Sequence, residues 1–544
     1  MKLTSFTIVA VCSNTKEIFF RDFLESVVAQ DYDNWELYII DDDNSPDIEK
    51  ITREFFPEDT RVHYRRLKKR TGKAYGTNIG FHFAEGDYVL ITDCHNRLDK
   101  SCLYMMADYI LDMGNVDVLY SDHIDLEGIE KTKIHVKQSF NRELFLRNNY
   151  IGDTVLINRD VIKKMGQVRE VLTEAYLYEY LLRCMEKKYV FSHIPKFLYY
   201  KRIMYADMYK ETYSGVEGVV NAESGAAPNS GAGVASTTPT GGGGIAGIIR
   251  SVFPNFMKSP VTGEDIDKKE LIYKESMAAV KAYLKRNHIE AELKSEPAKR
   301  FWKIEYDGSG ANLRKKDYML LKSDNVKVSG RHYLEKMYGY MKRKDVAVVG
   351  VRFAKPFWTT ENSGYIYDSE GNIYPAFYNV KLRDGGYDNL NIIPREIGMV
   401  DGDFCMISTK AYKALGGFDK TLAGRDVMLD FCIRARKRGY RVIIDPTITA
   451  KKYSSEAISS EGSHNRLVEK LGDELKKGDP FYSPNLQMGL INHTFMESGN
   501  SNEPAQSTSP VQGTQAVPNN APVQGTQTVQ SRTPIQNREV NTSD

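Results

Sequence analysis

Three consecutive carboxylates, Asp41-Asp42-Asp43, follow the short apolar run Leu37-Tyr38-Ile39-Ile40. A further acid, Asp93, closes a second such run, Tyr88-Val89-Leu90-Ile91. A lone aspartate after a strand usually starts a turn or caps a helix. Two acidic strand ends in one α/β unit carry more information. Hard divalent cations prefer carboxylate oxygens, and such a cation offsets the charge of a diphosphate. Acceptors at the first strand end also suit the hydrogen-bonding groups of a nucleoside.

The elements that position these acids follow from periodicity. Phe6 to Val11 reads as a buried strand, and Phe19, Phe20, Phe23, Leu24, Val27 and Val28 then fall at helical spacing. Strands alternating with helices predict a mainly parallel sheet with helices on both faces, whose ligands bind beyond the carboxyl ends of the strands. The pattern runs to about Tyr209. From Ser214 to Gly247 the composition falls to Gly, Ala, Ser, Thr and Pro, which reads as a flexible linker. Structure resumes near Asp267, with a helical run over Glu275 to Arg286 and buried strands at Val346 to Val351 and Val442 to Ile444. The repeated Pro-Val-Gln-Gly-Thr-Gln at 510–515 and 522–527 marks a tail expected to be disordered. The expected organisation is a first domain over 1–213, a linker over 214–266, a second domain over 267–492 and a tail over 493–544.

The bulk composition excludes several classes. Of 544 residues, 41% are hydrophobic and 27% charged, as in ordinary globular chains, and the net charge of +2 argues against a general nucleic-acid binder. The basic run Arg65, Arg66, Lys68, Lys69, Arg70 and Lys73 is expected to be a solvated loop for most of its members. Six scattered cysteines contain no CxxC pair, so neither a zinc knuckle nor a disulfide framework is indicated. The chain opens directly into a strand, and no stretch reaches the roughly 18 apolar residues of a membrane span. The expected location is the cytoplasm, at the inner face of the cell membrane if the product is membrane-linked.

Longer motifs carry a resemblance. Phe6 to Ser45, with the turn Ser26-Val27-Val28-Ala29-Gln30 and the pair Asp41-Asp42, resembles the opening of family-2 glycosyltransferases. Thr71 to Asp99 resembles the next block of that family, which leads into its metal-binding DXD strand. Tyr120-Ser121-Asp122, Asn149-Tyr150-Ile151-Gly152 and His193 to Tyr199 are similar to a narrower branch that builds O-antigen and other surface polysaccharides. Gly416-Gly417-Phe418-Asp419, Arg434 to Pro446 and Asp479 to Leu486 resemble a second module of the same branch. The spacing between Trp302 and Ser323-Asp324-Asn325, the DXD equivalent, leaves no room for the first strands of a full module. The resemblance therefore implies a GT-A fold followed by a truncated, GT-A-like α/β copy.

It also implies roles. The activity would be transfer of a sugar, with inversion, from a nucleotide-diphosphate donor to a saccharide or lipid-linked saccharide acceptor of a surface or cell-wall polysaccharide, with peripheral membrane contact. Asp41 and Asp42 would hold the base or ribose, and Asp42→Ala is expected to leave stability little changed, as at a surface position. Gly72, Lys73 and Asn78 would lie beside the diphosphate. Asp93-Cys94-His95 occupies the DXD position with histidine in place of the second carboxylate. This pair would hold Mn²⁺ or Mg²⁺; the competing reading is an abandoned metal site. The base, normally in an acidic pair ahead of a helix arginine (here Arg183), would be Glu179 or, with a shifted loop, Glu174. In the second module Gly424-Arg425-Asp426 aligns with the acidic pair only through an insertion, and Lys451-Lys452 replaces a His-His pair, so independent transfer there is not expected. The alternative to an active enzyme is a degraded relative that serves as a binding or scaffold protein in polysaccharide assembly.

Overall fold

A computed structural model describes residues 3–43, 45–114, 116–127, 130–202, 268–296, 301–309, 317–453 and 459–486. The linker expected over 214–266 and the tail expected over 493–544 lie outside the described residues. The first module runs β1 (Phe6–Cys12), α1 (Glu17–Val28), β2 (Trp35–Asp41), α2 (Pro46–Phe55), β3 (Val62–Arg66), α3 (Lys73–Phe83), β4 (Tyr88–Asp93), β5 (Arg97–Leu98), α4 (Cys102–Met113), β6 (Val118–Glu127), β7 (Glu130–His135), α5 (Arg142–Phe145), β8 (Val155–Asn158), α6 (Arg159–Met165), α7 (Tyr176–Glu186) and β9 (Phe191–Arg202).

Its sheet has the order β3-β2-β1-β4-β8-β6-β9-β5, with β7 on β6. The front four strands are parallel. β1 shows why the sheet is covered on both faces. Phe6, Ile8, Ala10 and Cys12 pack with α1 and α4, whereas Val9 joins the core formed by α6 and α7 on the other face. A strand buried on both faces reads as a continuous apolar run, as this one does. Strand order reverses at β1, between β2 and β4, so a crevice opens beyond the carboxyl ends of these strands.

The second module runs α8 (Lys268–Arg286), β10 (Ala291–Ser295), β11 (Trp302–Tyr306), β12 (Tyr318–Lys322), β13 (Val326–Ser329), α9 (Tyr333–Met341), β14 (Val346–Lys355), β15 (Thr359–Asn362), β16 (Tyr365–Tyr367), β17 (Ile373–Pro375), β18 (Arg395–Glu396), β19 (Phe404–Ser408), α10 (Thr409–Ala414), α11 (Arg425–Lys437), β20 (Arg441–Lys452) and α12 (Glu461–Leu475). Its main sheet has the order β12-β19-β14-β20-β13. This repeats the run β4-β8-β6-β9-β5 strand for strand. β12/β19, β19/β14 and β20/β13 are antiparallel and β14/β20 parallel, just as β4/β8, β8/β6, β9/β5 and β6/β9 are. β15 returns on β14 as β7 returns on β6. The second module thus repeats the rear half of the first, and in chain order a separate hairpin, β10–β11, precedes it in place of β1–β3. One hydrophobic core runs through both modules, joining Tyr178 and Leu181 of α7 to Val280 of α8, Trp302 and Met337.

Candidate functional site

The acidic run after β2 folds back on the loops around it. Asp41 is buried and accepts a hydrogen bond from Tyr64 Oη at 2.6 Å. Asp42, 2% exposed, accepts from the backbone N–H of Thr71 at 2.6 Å and of Gly72 at 3.0 Å, and from Thr71 Oγ1 at 3.1 Å. Asp43 accepts from the N–H groups of Asn14 and Thr15 at 2.6 and 2.8 Å. These carboxylates pin the three segments that border the crevice. The surface position expected for Asp42 is therefore corrected, because the carboxylate is buried and its oxygens are taken up by backbone donors.

Gly72 has φ +89°, in the region that favours glycine, and turns the chain into α3. The next residue, Lys73, sends its ammonium to Asp93 Oδ2. Asp93 Oδ1 lies 2.8 Å from His95 Nδ1 and accepts the His95 backbone N–H at 3.0 Å. Burial alone would raise the Asp93 carboxyl, but Lys73 and then His95 outweigh it and hold it well below the usual carboxylate range. Burial likewise opposes a charged Lys73, yet Asp93 and Glu174 hold its ammonium well above the ordinary value. His95 Nε2 is buried with no hydrogen-bond partner. Asn78 is elsewhere: its amide bonds to Val168 O at 3.1 Å, Glu170 Oε1 at 2.9 Å and the Val168 N–H at 2.8 Å, so it stitches α3 to the 168–170 loop.

The two candidate bases separate. Glu174 stands just ahead of α7, close enough to act on the Lys73 charge. Glu179 is fully buried one turn into α7, with Arg183 Nε at 3.0 Å and Arg169 at 3.3 Å. Arg183 in turn donates to Met165 O and Gln167 O, tying α7 to the end of α6. The second module contains the same device: Asp430 holds Arg434, which donates to Leu415 O and Gly417 O beyond α10. A module that lacks β1–β3 keeps the pair, so the pair belongs to the scaffold of the fold.

Sequence reasoning missed Asp153. Antiparallel pairing of β4 with β8, Ile91 opposite Val155, brings it across from Asp93, and Lys201 Nζ lies 3.4 Å away. Its only signal was its position directly after the Asn149-Tyr150-Ile151-Gly152 block. In the second module Asp403 takes the matching place, and Ser323, opposite it, hydrogen-bonds it at 2.7 Å where Asp93 would stand. A separate group, His123, Asp125 and His135, has its two rings stacked at 4.4 Å and within 5° of parallel. Lone pairs in parallel planes do not converge on one ion.

Residues 7–166 match the family model described as Glycosyl transferase family 2. An uncharacterized protein, y4gI, of Sinorhizobium fredii is 23% identical over 86% of this chain and 56% of its own length. The O-antigen biosynthesis protein RfbC of Myxococcus xanthus is 22% identical over 89% of this chain and 40% of its own. A shorter relative, the Escherichia coli UDP-Glc:alpha-D-GlcNAc-diphosphoundecaprenol beta-1,3-glucosyltransferase WfgD, is 27% identical over 26% of this chain and 54% of its own. The chain thus spans about half the length of the curated relatives it matches. The matched segment covers β1 to α6 and both acidic strand ends, so residues 7–166 form a glycosyl transferase family 2 domain within the first module.

Proposed function

We propose that the first module transfers a sugar from a nucleotide-diphosphate donor to a saccharide or lipid-linked saccharide acceptor during assembly of a surface polysaccharide, with inversion at the sugar carbon. The observation that carries this reading is the group Lys73, Asp93, His95 and Glu174 gathered at the carboxyl end of β4, beside the switch in strand order. In the proposed reaction Glu174 takes the proton of the acceptor hydroxyl, whose oxygen attacks the anomeric carbon. The bond from that carbon to the diphosphate breaks, and Lys73 offsets the charge left on the departing phosphate. Asp42 acts by holding Thr71 and Gly72, which set the approach of Lys73.

The donor set also fits a cation. One carboxylate and one imidazole suit a borderline ion such as Mn²⁺ better than Mg²⁺. Asp93 and His95 would hold such an ion, which would offset diphosphate charge, with Lys73 displaced from Asp93. The second reading, a non-catalytic scaffold, is favoured by that same Lys73–Asp93 ion pair, which can satisfy the site without metal or donor.

Calorimetric titration of Mn²⁺ and of UDP, GDP and dTDP sugars, followed by assay of nucleoside-diphosphate release, separates the two. Glu174→Gln is expected to lower turnover about 10²–10⁴-fold while donor binding persists, the scale of general-base catalysis. Full activity in that variant would remove Glu174 from the mechanism. No donor binding by the folded parent would leave the scaffold reading.

A further inference from the structure

The second module has no β1–β3 front, yet it presents a feature that the packing of the fold does not account for. Between β14 and β15, Phe357 is 93% exposed and Trp358 77% exposed. Both have left-handed backbone, with φ of 64° and 58°. Bulky residues in that region are strained and persist where surrounding structure imposes them. Here the surroundings do impose them: Leu382 N–H donates to Trp358 O at 2.9 Å, and Thr359 pairs with Lys381 across a β-bridge. The tip is therefore held with two large aromatic side chains directed into water.

Cations surround this tip. Lys355 Nζ lies 4.0 Å from the Tyr378 ring, and Lys451 Nζ lies 5.5 Å from the Trp358 ring. Lys381 is exposed beside them. Aromatic side chains that project from a basic rim match the boundary between lipid headgroups and acyl chains. Tryptophan and other aromatics favour that depth, and lysines gain from an anionic surface. A glycan platform would instead surround its aromatic faces with carboxamide or carboxylate acceptors for sugar hydroxyls, and this rim is ammonium.

We infer that Phe357 and Trp358, ringed by Lys355, Lys381 and Lys451, form a docking wedge for an anionic phospholipid surface. Its occupant is a leaflet of acidic lipid, chosen by charge complementarity with the three ammonium groups. This goes beyond the proposed transfer reaction and does not depend on it, since it concerns the module without a nucleotide-binding front. No helix among the described residues is long and apolar enough to cross a membrane, so a wedge of this kind supplies attachment without a span.

The test uses the full chain and needs no donor. Of three tryptophans, Trp35 and Trp302 are 6% and 4% exposed, so Trp358 is the one whose emission reports on the medium. Vesicles of phosphatidylcholine mixed with phosphatidylglycerol should shift that emission to the blue and sediment the protein, and phosphatidylcholine alone should do neither. Phe357→Asn with Trp358→Asn should lower sedimentation at least about tenfold, because both apolar anchors are lost; asparagine tolerates the left-handed backbone, which spares the fold. Lys381→Gln and Lys451→Gln should each weaken binding about fivefold, without touching the strained residues. Unchanged sedimentation of these variants would overturn the proposal, as would equal binding to neutral vesicles. A blue shift produced by a soluble polysaccharide without vesicles would also overturn it, and would make the tip a glycan platform.

Discussion

Asp42 commits both carboxylate oxygens to the backbone of Thr71 and Gly72, while Asp479, equally buried, leaves Oδ2 without a hydrogen-bond partner. The consequences are opposite. Asp42→Ala removes a charged acceptor from two half-buried N–H groups, so we expect a loss of about 1–3 kcal/mol, read as a lower urea midpoint, with weakened nucleotide binding because the Lys73 loop is released. An unchanged midpoint would show that the loop holds itself. Asp479 sits against Gly398, and burial, opposed in part by Arg436, lifts its pKa from the ordinary 3.8 to about 6. The folded state binds this proton more tightly than the unfolded chain. Its contribution is therefore complete below about pH 4 and is lost as pH rises through about 6, a change of about 3 kcal/mol. Asp479→Asn should abolish that slope between pH 4 and 7 and leave the variant the more stable at neutral pH. A parallel decline in both proteins across this range would assign the slope to another group. The acids themselves were legible as strand-end and motif residues. Their burial was not, since Thr71 and Gly72 reach Asp42, and Gly398 reaches Asp479, only once the chain has folded.

Helix α7 illustrates the limit at the next scale. The resemblance placed its arginine, Arg183, and the acidic candidate Glu174 ahead of it. What holds the loop in place was not legible. Ala175, at the N-cap, offers no side-chain acceptor, and the carboxylate of Glu275 on α8 stands in for one. It accepts from the N–H groups of Thr173, Glu174 and Ala175 at 3.0, 2.8 and 2.9 Å, and from Thr173 Oγ1 at 2.8 Å. No periodicity links residues about a hundred positions apart on either side of a low-complexity segment. The second module was easier to see, because its late motifs resemble those of a known second module and the distance from Trp302 to Ser323 is too short for a front half. Glu275→Gln keeps the shape and removes the charge, so we expect a loss of about 1.5–3 kcal/mol in the unfolding free energy, the range for hydrogen bonds to an ionised partner. Hydrogen exchange of the 173–175 amides should quicken with it. Protection equal to the parent's would mean that solvent or another acceptor replaces Glu275.

Across the whole molecule, the modules share charge as well as a core. Glu143 of α5 is wholly buried and pairs with Arg147 of its own module. From the second module come Tyr306 Oη at 2.8 Å, Arg343 at 2.7 Å and Arg441 at 3.1 Å. Burial would raise this carboxyl, and the three guanidiniums, Arg343 foremost, hold it far below the usual range. Arg441 also binds Asp345 at 2.9 Å, and Asp345 accepts Arg142 at 3.0 Å, so the network crosses the boundary more than once. Trp302 Nε1 adds a neutral link to Leu146 O at 2.7 Å. Removing one member of a buried charge group leaves its partners uncompensated, which costs far more than the group contributed over a well-packed apolar replacement. Glu143→Gln should therefore lower stability by about 3–5 kcal/mol. Because the network spans both modules, the loss should appear as earlier unfolding of the pair together, seen as coincident shifts in near-ultraviolet circular dichroism and in tryptophan fluorescence, to which buried Trp35 and Trp302 contribute from the two modules. A shift confined to one probe would show that the modules unfold separately. A change below about half a kcal/mol, the size of an ordinary surface substitution, would show that the arginines find other partners.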